Sequence, residues 1–174
     1  MHALGIDIGG TGMKAAPVDL ETGKFVADRV KIATPHPAVP EAVAEVVQKL
    51  VATFSWTGPI GCTFPGVVMN GVTRTAANLD PAWIGLDGRE LLCKAVGQDI
   101  RLINDADAAG VAEMTFGAGK SESGTVFMVT FGTGIAARCS WTASWCRTPS
   151  SGTSRSAART RRSGPPSGPR ARTT

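Results

Sequence analysis

Asp7-Ile8-Gly9-Gly10-Thr11-Gly12-Met13-Lys14 joins two apolar runs, residues 3–8 and 13–18. A carboxylate closes the first run, three glycines and a threonine make the turn, and a lysine lies inside the second. Glycines in a tight turn expose backbone N–H groups, and a hydroxyl beside them adds a donor. Such a turn can cradle a phosphate group, with Asp7 placed to hold Mg2+ through water. The spacing is not that of a Walker loop. It is not a dinucleotide fingerprint either, because a strand and not a helix follows. By itself the stretch also fits an ordinary glycine-rich hairpin. What it fixes is the start of the fold: strand, turn, strand.

Working outward, residues 19–24 read as a hairpin turn and 25–32 as a third strand. A Pro-rich connection follows, and Pro40 suits a helix start. Val43, Val46, Val47, Leu50, Val51 and Phe54 then recur with helical spacing. Residues 59–64 predict a buried strand ending at Pro65-Gly66, and 71–86 read mostly as loop. A helix is expected over 90–96, a strand over 100–103 and a helix over 105–116. Residues 117–124 form a Gly/Ser loop before an apolar strand at 125–131. Three antiparallel strands followed by alternating helices and strands predict a mixed α/β lobe of residues 1–116. A new strand and a new glycine turn over 117–137 read as the start of a second lobe.

Three further motifs could carry chemistry. Gly132-Thr133-Gly134 follows an apolar strand and could clamp the same phosphate chain from the second lobe, although a lone turn of this kind is common. Asn104-Asp105 sits at a strand-to-helix junction, where a carboxylate is favoured by the helix dipole. Asp105 is a candidate general base for a sugar hydroxyl and Asn104 a candidate hydroxyl ligand; either could equally be only a helix cap. Gly66 would let backbone approach a ligand. Asn78 could bind hydroxyls, and Trp83 could stack on a sugar or brace the loop from the core.

Asp7-x-Gly-Gly-Thr, Pro65-Gly66, Asn104-Asp105 and Gly132-Thr-Gly occur in an order and spacing that resembles the ROK family of sugar kinases and repressors. The stretches GIDIGGTGMK, TFPGVV, TAANLDPAWIG and NDADAAG look most like its polyphosphate-using glucokinases from actinobacteria. The likeness runs from Met1 to about Ile135. It implies an actin/hexokinase-like (ribonuclease H-like) fold and phosphorylation of glucose to glucose 6-phosphate. The donor would be inorganic polyphosphate, ATP or both, with Mg2+. Asp105 would be the general base, and Asn104, Asn78 and Gly66 would contact the sugar. The phosphoryl donor would lie on Asp7, Gly9, Gly10, Thr11, Gly12 and Lys14 and on the Gly132, Thr133, Gly134 turn. Full-length members would be homodimers. Alternatives are a strictly ATP-dependent sugar kinase, a sugar-responsive repressor and a non-catalytic remnant. A repressor would carry a helix-turn-helix before the first turn, for which the residues ahead of Asp7 leave no room.

The net charge of +4 is unevenly placed. Residues 1–137 hold ten basic and fourteen acidic side chains; residues 138–174 hold eight arginines and no acid. A basic arm for nucleic acid would give this asymmetry, but no aromatic interleaving accompanies it. Residues 138–174 have no apolar periodicity and are expected to be disordered. The family pattern continues after the Gly-Thr-Gly turn with a hairpin and an E-x-G-H segment, both missing here. Stepping the reading frame back by one base near residues 136–138 turns Trp141-Thr142 into an Asp codon and Trp145-Cys146 into a Val codon. With G or C at third positions, 138–153 then yields L-L-V-D-G-V-L-V-P-H-A-E-L-G-H. A frame slip that removes the second lobe is therefore expected, leaving an inactive fragment. The four cysteines show no metal spacing. Neither a secretory signal nor a membrane-length apolar run is present, so the expected location is the cytoplasm, without membrane or nucleic-acid partners.

Overall fold

The computed structural model of the 174-residue chain describes residues 1–131, 135–141 and 144–146. Strands β1 (His2–Asp7) and β2 (Gly12–Asp19) pair antiparallel across the glycine turn, and β3 (Val30–Ala33) pairs with β2. Helix α1 (Pro40–Thr53) leads to β4 (Ile60–Phe64), which lies parallel to β1. Helix α2 (Gly88–Val96) leads to β7 (Ile100–Asn104), parallel to β4, and α3 (Asp105–Phe116) leaves its carboxyl end. The sheet order is β3-β2-β1-β4-β7.

Strict alternation divides this sheet into two faces. Leu4, Ile6, Ile8, Met13, Ile60, Cys62, Phe64, Ile100 and Leu102 point to one side, where Val43, Val47 and Leu50 of α1 and Leu92 of α2 complete the core. Burial there pushes the Cys62 thiol up, so it stays protonated. The other face carries Asp7, Lys14, Lys31, Thr63 and Ile103, none of them buried.

The sequence expectations for the large elements hold, with four corrections. Strand β3 spans only Val30–Ala33, because residues 25–29 leave the sheet after one isolated Val18–Phe25 bridge. Helix α2 begins at Gly88, since Asp87 accepts a hydrogen bond from the Glu90 N–H and caps it. Residues 71–86 are not mostly loop. They contain strand β6 (Val72–Thr73), paired with β5 (Val68–Met69), and a 3-10 turn, Pro81–Trp83. Strand pairing also continues past Ala137. Strand β8 (Thr125–Phe131) pairs with β9 (Ile135–Trp141), which pairs with β10 (Ser144–Cys146). Backbone pairing needs no apolar periodicity, so composition alone placed the boundary of ordered pairing too early.

Candidate active site

Strands β1, β4 and β7 run parallel, so their carboxyl ends open at one edge of the sheet. In open α/β sheets this is where ligands bind. The register places Asp7 beside Thr63, and Thr63 beside Ile103. Adjacent strands are about 4.8 Å apart, so Asp7 and the start of α3 are about 10 Å apart across the sheet.

Asp7 is held from both sides. The Thr63 hydroxyl donates to its Oδ1 at 2.9 Å, and Lys14 Nζ lies 3.5 Å from its Oδ2. The turn that follows is fixed from below, since the Thr34 hydroxyl donates to the Gly9 carbonyl. Thr11 is exposed at the tip. Gly10 meets the residue 65–86 excursion, and a Cβ built on it would stand 2.7 Å from the Asn78 Cβ. Asn78 itself has a φ of 61°, a left-handed conformation that asparagine tolerates. The structure thus brings Asn78 against the glycine turn, a contact between positions far apart in the chain.

Asn104 and Asp105 form the other wall. Asn104 caps α3: its Oδ1 accepts from the Asp107 N–H at 3.1 Å. Its Nδ2 donates to the Gly66 carbonyl and to Asp105 Oδ1, both at 2.9 Å. Asp105 Oδ1 also accepts from the Ala106 N–H at 2.8 Å. Two donors therefore orient one oxygen of an exposed carboxylate, and Oδ2 has no hydrogen-bond partner among the described residues. Asn104 acts as a cap and also positions Asp105 and Gly66.

Gly66 is needed for close approach. A Cβ on it would collide with the Thr75 carbonyl oxygen and come within 2.9 Å of Phe64 Cε1. The segment 65–67 is tied to 74–77 by Arg74 N–H to the Val67 carbonyl and Ala77 N–H to the Pro65 carbonyl. Gly66→Ala is expected to lower stability by about 1–3 kcal/mol, because backbone and not a flexible tip must yield. Urea unfolding of the 174-residue chain checks this; an unchanged midpoint would show that the 75–77 segment moves freely.

For Trp83 the structure decides between the two roles the sequence left open. The residue is fully buried, with its ring centroid 4.9 Å from that of Phe64, so it braces the loop and offers no face to a sugar. Gly132, Thr133 and Gly134 lie outside the described residues, as does most of the arginine-rich segment. Thr63 and Thr34 were not singled out from the sequence, since only strand register reveals their contacts. The groove lined by Arg89, Cys93, Lys94 and Asp99 lies at the amino end of β7 and shares no residue with this cluster.

A glycine turn with a lysine beside it and an oriented carboxylate at one sheet edge can together serve phosphoryl transfer to a hydroxyl. Comparison with known proteins decides the family: residues 3–139 match the ROK family. The chain belongs to it. A polyphosphate glucokinase of Mycobacterium tuberculosis is 52% identical over 135 residues, covering 77% of this chain and 51% of that protein. The crystal structure of an inorganic polyphosphate/ATP-glucomannokinase from Arthrobacter sp. strain KM superposes with a TM-score of 0.80 at 43% identity, over 84% of this chain and 61% of the other. A ROK family glucokinase from Streptomyces griseus, solved with glucose and AMPPNP, gives a TM-score of 0.73 at 29% identity, over 85% of this chain and 47% of the other. The ROK chain described here therefore has the actin/hexokinase-like fold and spans about half the length of the curated relatives it matches. No helix among its described residues is long and apolar enough to cross a membrane.

Proposed function

We propose that this chain supplies the first lobe and the general base of a kinase that phosphorylates the 6-hydroxyl of glucose, with polyphosphate or ATP as donor. The observation that carries the reading is the pairing of two features at one sheet edge. Asp105 presents an oriented carboxylate oxygen, and the Asp7–Lys14 turn presents its glycines and the exposed Thr11, with a lysine beside Asp7. The names of relatives at about half identity supply the substrate class.

In this reading Asp105 Oδ2 accepts the proton of the sugar hydroxyl as that oxygen attacks the terminal phosphorus. The new O–P bond forms while the bond to the bridging oxygen breaks. That oxygen leaves with the shortened phosphate chain, or with ADP. Lys14 and the turn amides hold the oxygens of the transferred group, so the protein contributes position and charge neutralisation. The residues present fit Mg2+. Asp7 is half exposed, and each of its oxygens makes one protein contact, leaving lone pairs for metal-bound water. The described residues contain no group of three acidic, His or Cys side chains, which suits a metal held mainly by phosphate oxygens and water. When bound, the metal would neutralise charge on the donor.

Glucose 6-phosphate formation, followed by coupled dehydrogenase reduction of a nicotinamide, tests the reading. The 174-residue chain is compared with the polypeptide read after stepping the frame back one base near residues 136–138. The longer polypeptide is expected to form product and the 174-residue chain none. Product with ATP alone would establish the strictly ATP-dependent alternative. A longer polypeptide silent with both donors would end the glucokinase reading, and turnover by the 174-residue chain would show that one lobe suffices.

A further inference from the structure

The antiparallel pairing of β2 with β3 sets Lys14 directly opposite Lys31. Opposed residues share a face, and like charges directly opposite destabilise a sheet. Asp7 offsets Lys14 at 3.5 Å, but Lys31 forms no ion pair among the described residues and is exposed. Its stem lies over the glycine turn: a Cβ built on Gly12 would meet Lys31 Cε at 2.5 Å and Nζ at 3.5 Å. Any side chain at residue 12 would displace the lysine from this position. A cation is thus held over the outer edge of the turn, opposite a second cation, with one carboxylate between the two of them and the rest of the sheet edge.

We propose that Lys31 is a second phosphate contact. It binds the next phosphate of a linear oligophosphate whose terminal group sits on the Gly9–Lys14 turn. This rests on the reading of that turn as the donor site. The row Asp7, Lys14, Lys31 runs across three strands, so the backbones of the two lysines lie one strand spacing, roughly 5 Å, apart. Two cations side by side along the sheet edge give a chain of phosphates a contact for each of two successive groups. Both polyphosphate and the triphosphate of ATP offer such a chain. An anion bridging the lysines would also offset the repulsion between them.

Backbone amide NMR titrations of the 174-residue chain at low salt test the proposal, with tripolyphosphate, ATP and inorganic phosphate as separate probes. Site-resolved shifts of residues 9–14 keep the arginine-rich segment from dominating the readout. Lys31→Gln is expected to raise the tripolyphosphate midpoint at these amides about five- to ten-fold, as for loss of one exposed charge-assisted contact, with little change for inorganic phosphate. Lys31→Arg is expected to restore most of the affinity. A parallel loss with ATP would assign the contact to any triphosphate; a loss with tripolyphosphate alone would assign it to inorganic polyphosphate. Unchanged midpoints in Lys31→Gln, with residues 9–14 still responding, would overturn the role of Lys31 and leave the donor site standing. No response of residues 9–14 to any probe in the unsubstituted chain would overturn both.

Discussion

If Asp105 is the proposed general base, replacing it with asparagine in the longer polypeptide read after stepping the frame is expected to lower glucose phosphorylation about a thousand-fold, within the range for loss of such a base. The substitution is almost isosteric. Its remaining oxygen can still accept from the Ala106 N–H, as Asp105 Oδ1 does at 2.8 Å. The Asn104 cap on the Asp107 N–H is untouched, so α3 keeps its start. What changes is the oxygen without a protein partner, which becomes an amide nitrogen and can no longer take a proton. The loss should therefore fall on kcat, with KM for glucose and the unfolding midpoint little moved. A variant retaining more than about a tenth of the activity would remove Asp105 from the proton transfer and leave it the role of a helix-start residue.

Trp83→Ala is expected to cost about 3–5 kcal/mol, a large share of the total stability of a domain this size. Trp83 is fully buried and tilted 54° against Phe64, and its Nε1 donates to the Ala38 carbonyl at 3.1 Å. Its own carbonyl accepts from the buried Thr73 hydroxyl. This side chain fastens the 65–86 excursion to the core, and that excursion carries Asn78 to Gly10 and Thr75 to Gly66. Truncation would leave a cavity and take from the Ala38 carbonyl the shorter of its two hydrogen bonds, the other coming from the Asp80 N–H. Trp83→Phe should lose less, because it keeps most of the apolar contact and forfeits the hydrogen bond. Urea unfolding followed by circular dichroism measures both variants. A loss below about 1 kcal/mol for the alanine variant would mean that the excursion is fastened by its backbone ties alone.

Much of this site was legible before any coordinates. Asp7 and the glycine turn follow from a strand that stops at a carboxylate. Asn104-Asp105 follows from a strand running straight into a helix, where capping chemistry is local. The apolar runs at 3–8, 13–18 and 59–64 marked three of the strands, though not which of their faces would meet the helices. Less legible was everything that depends on which strand lies beside which. Thr63 reaches Asp7 across 56 positions of sequence, and Thr34 reaches the Gly9 carbonyl across 25. The fate of Trp83 was undecided because a turn containing Pro and Trp can face either way. The hairpin of β5 and β6 escaped because two-residue strands carry no periodicity.

The sequence by itself determined the order of the main elements, the position of the glycine turn and the residue at the head of α3. These depend on local periodicity, glycine and helix capping, which act within a few residues. Tertiary structure alone decided that the turn, Gly66, Asn78 and Asp105 converge, that Asn104 spends its amide on positioning, and that Lys31 stands over Gly12 opposite Lys14. Those outcomes are set by parallel strand register and by loop packing, which join residues distant in the chain through contacts that no local pattern encodes.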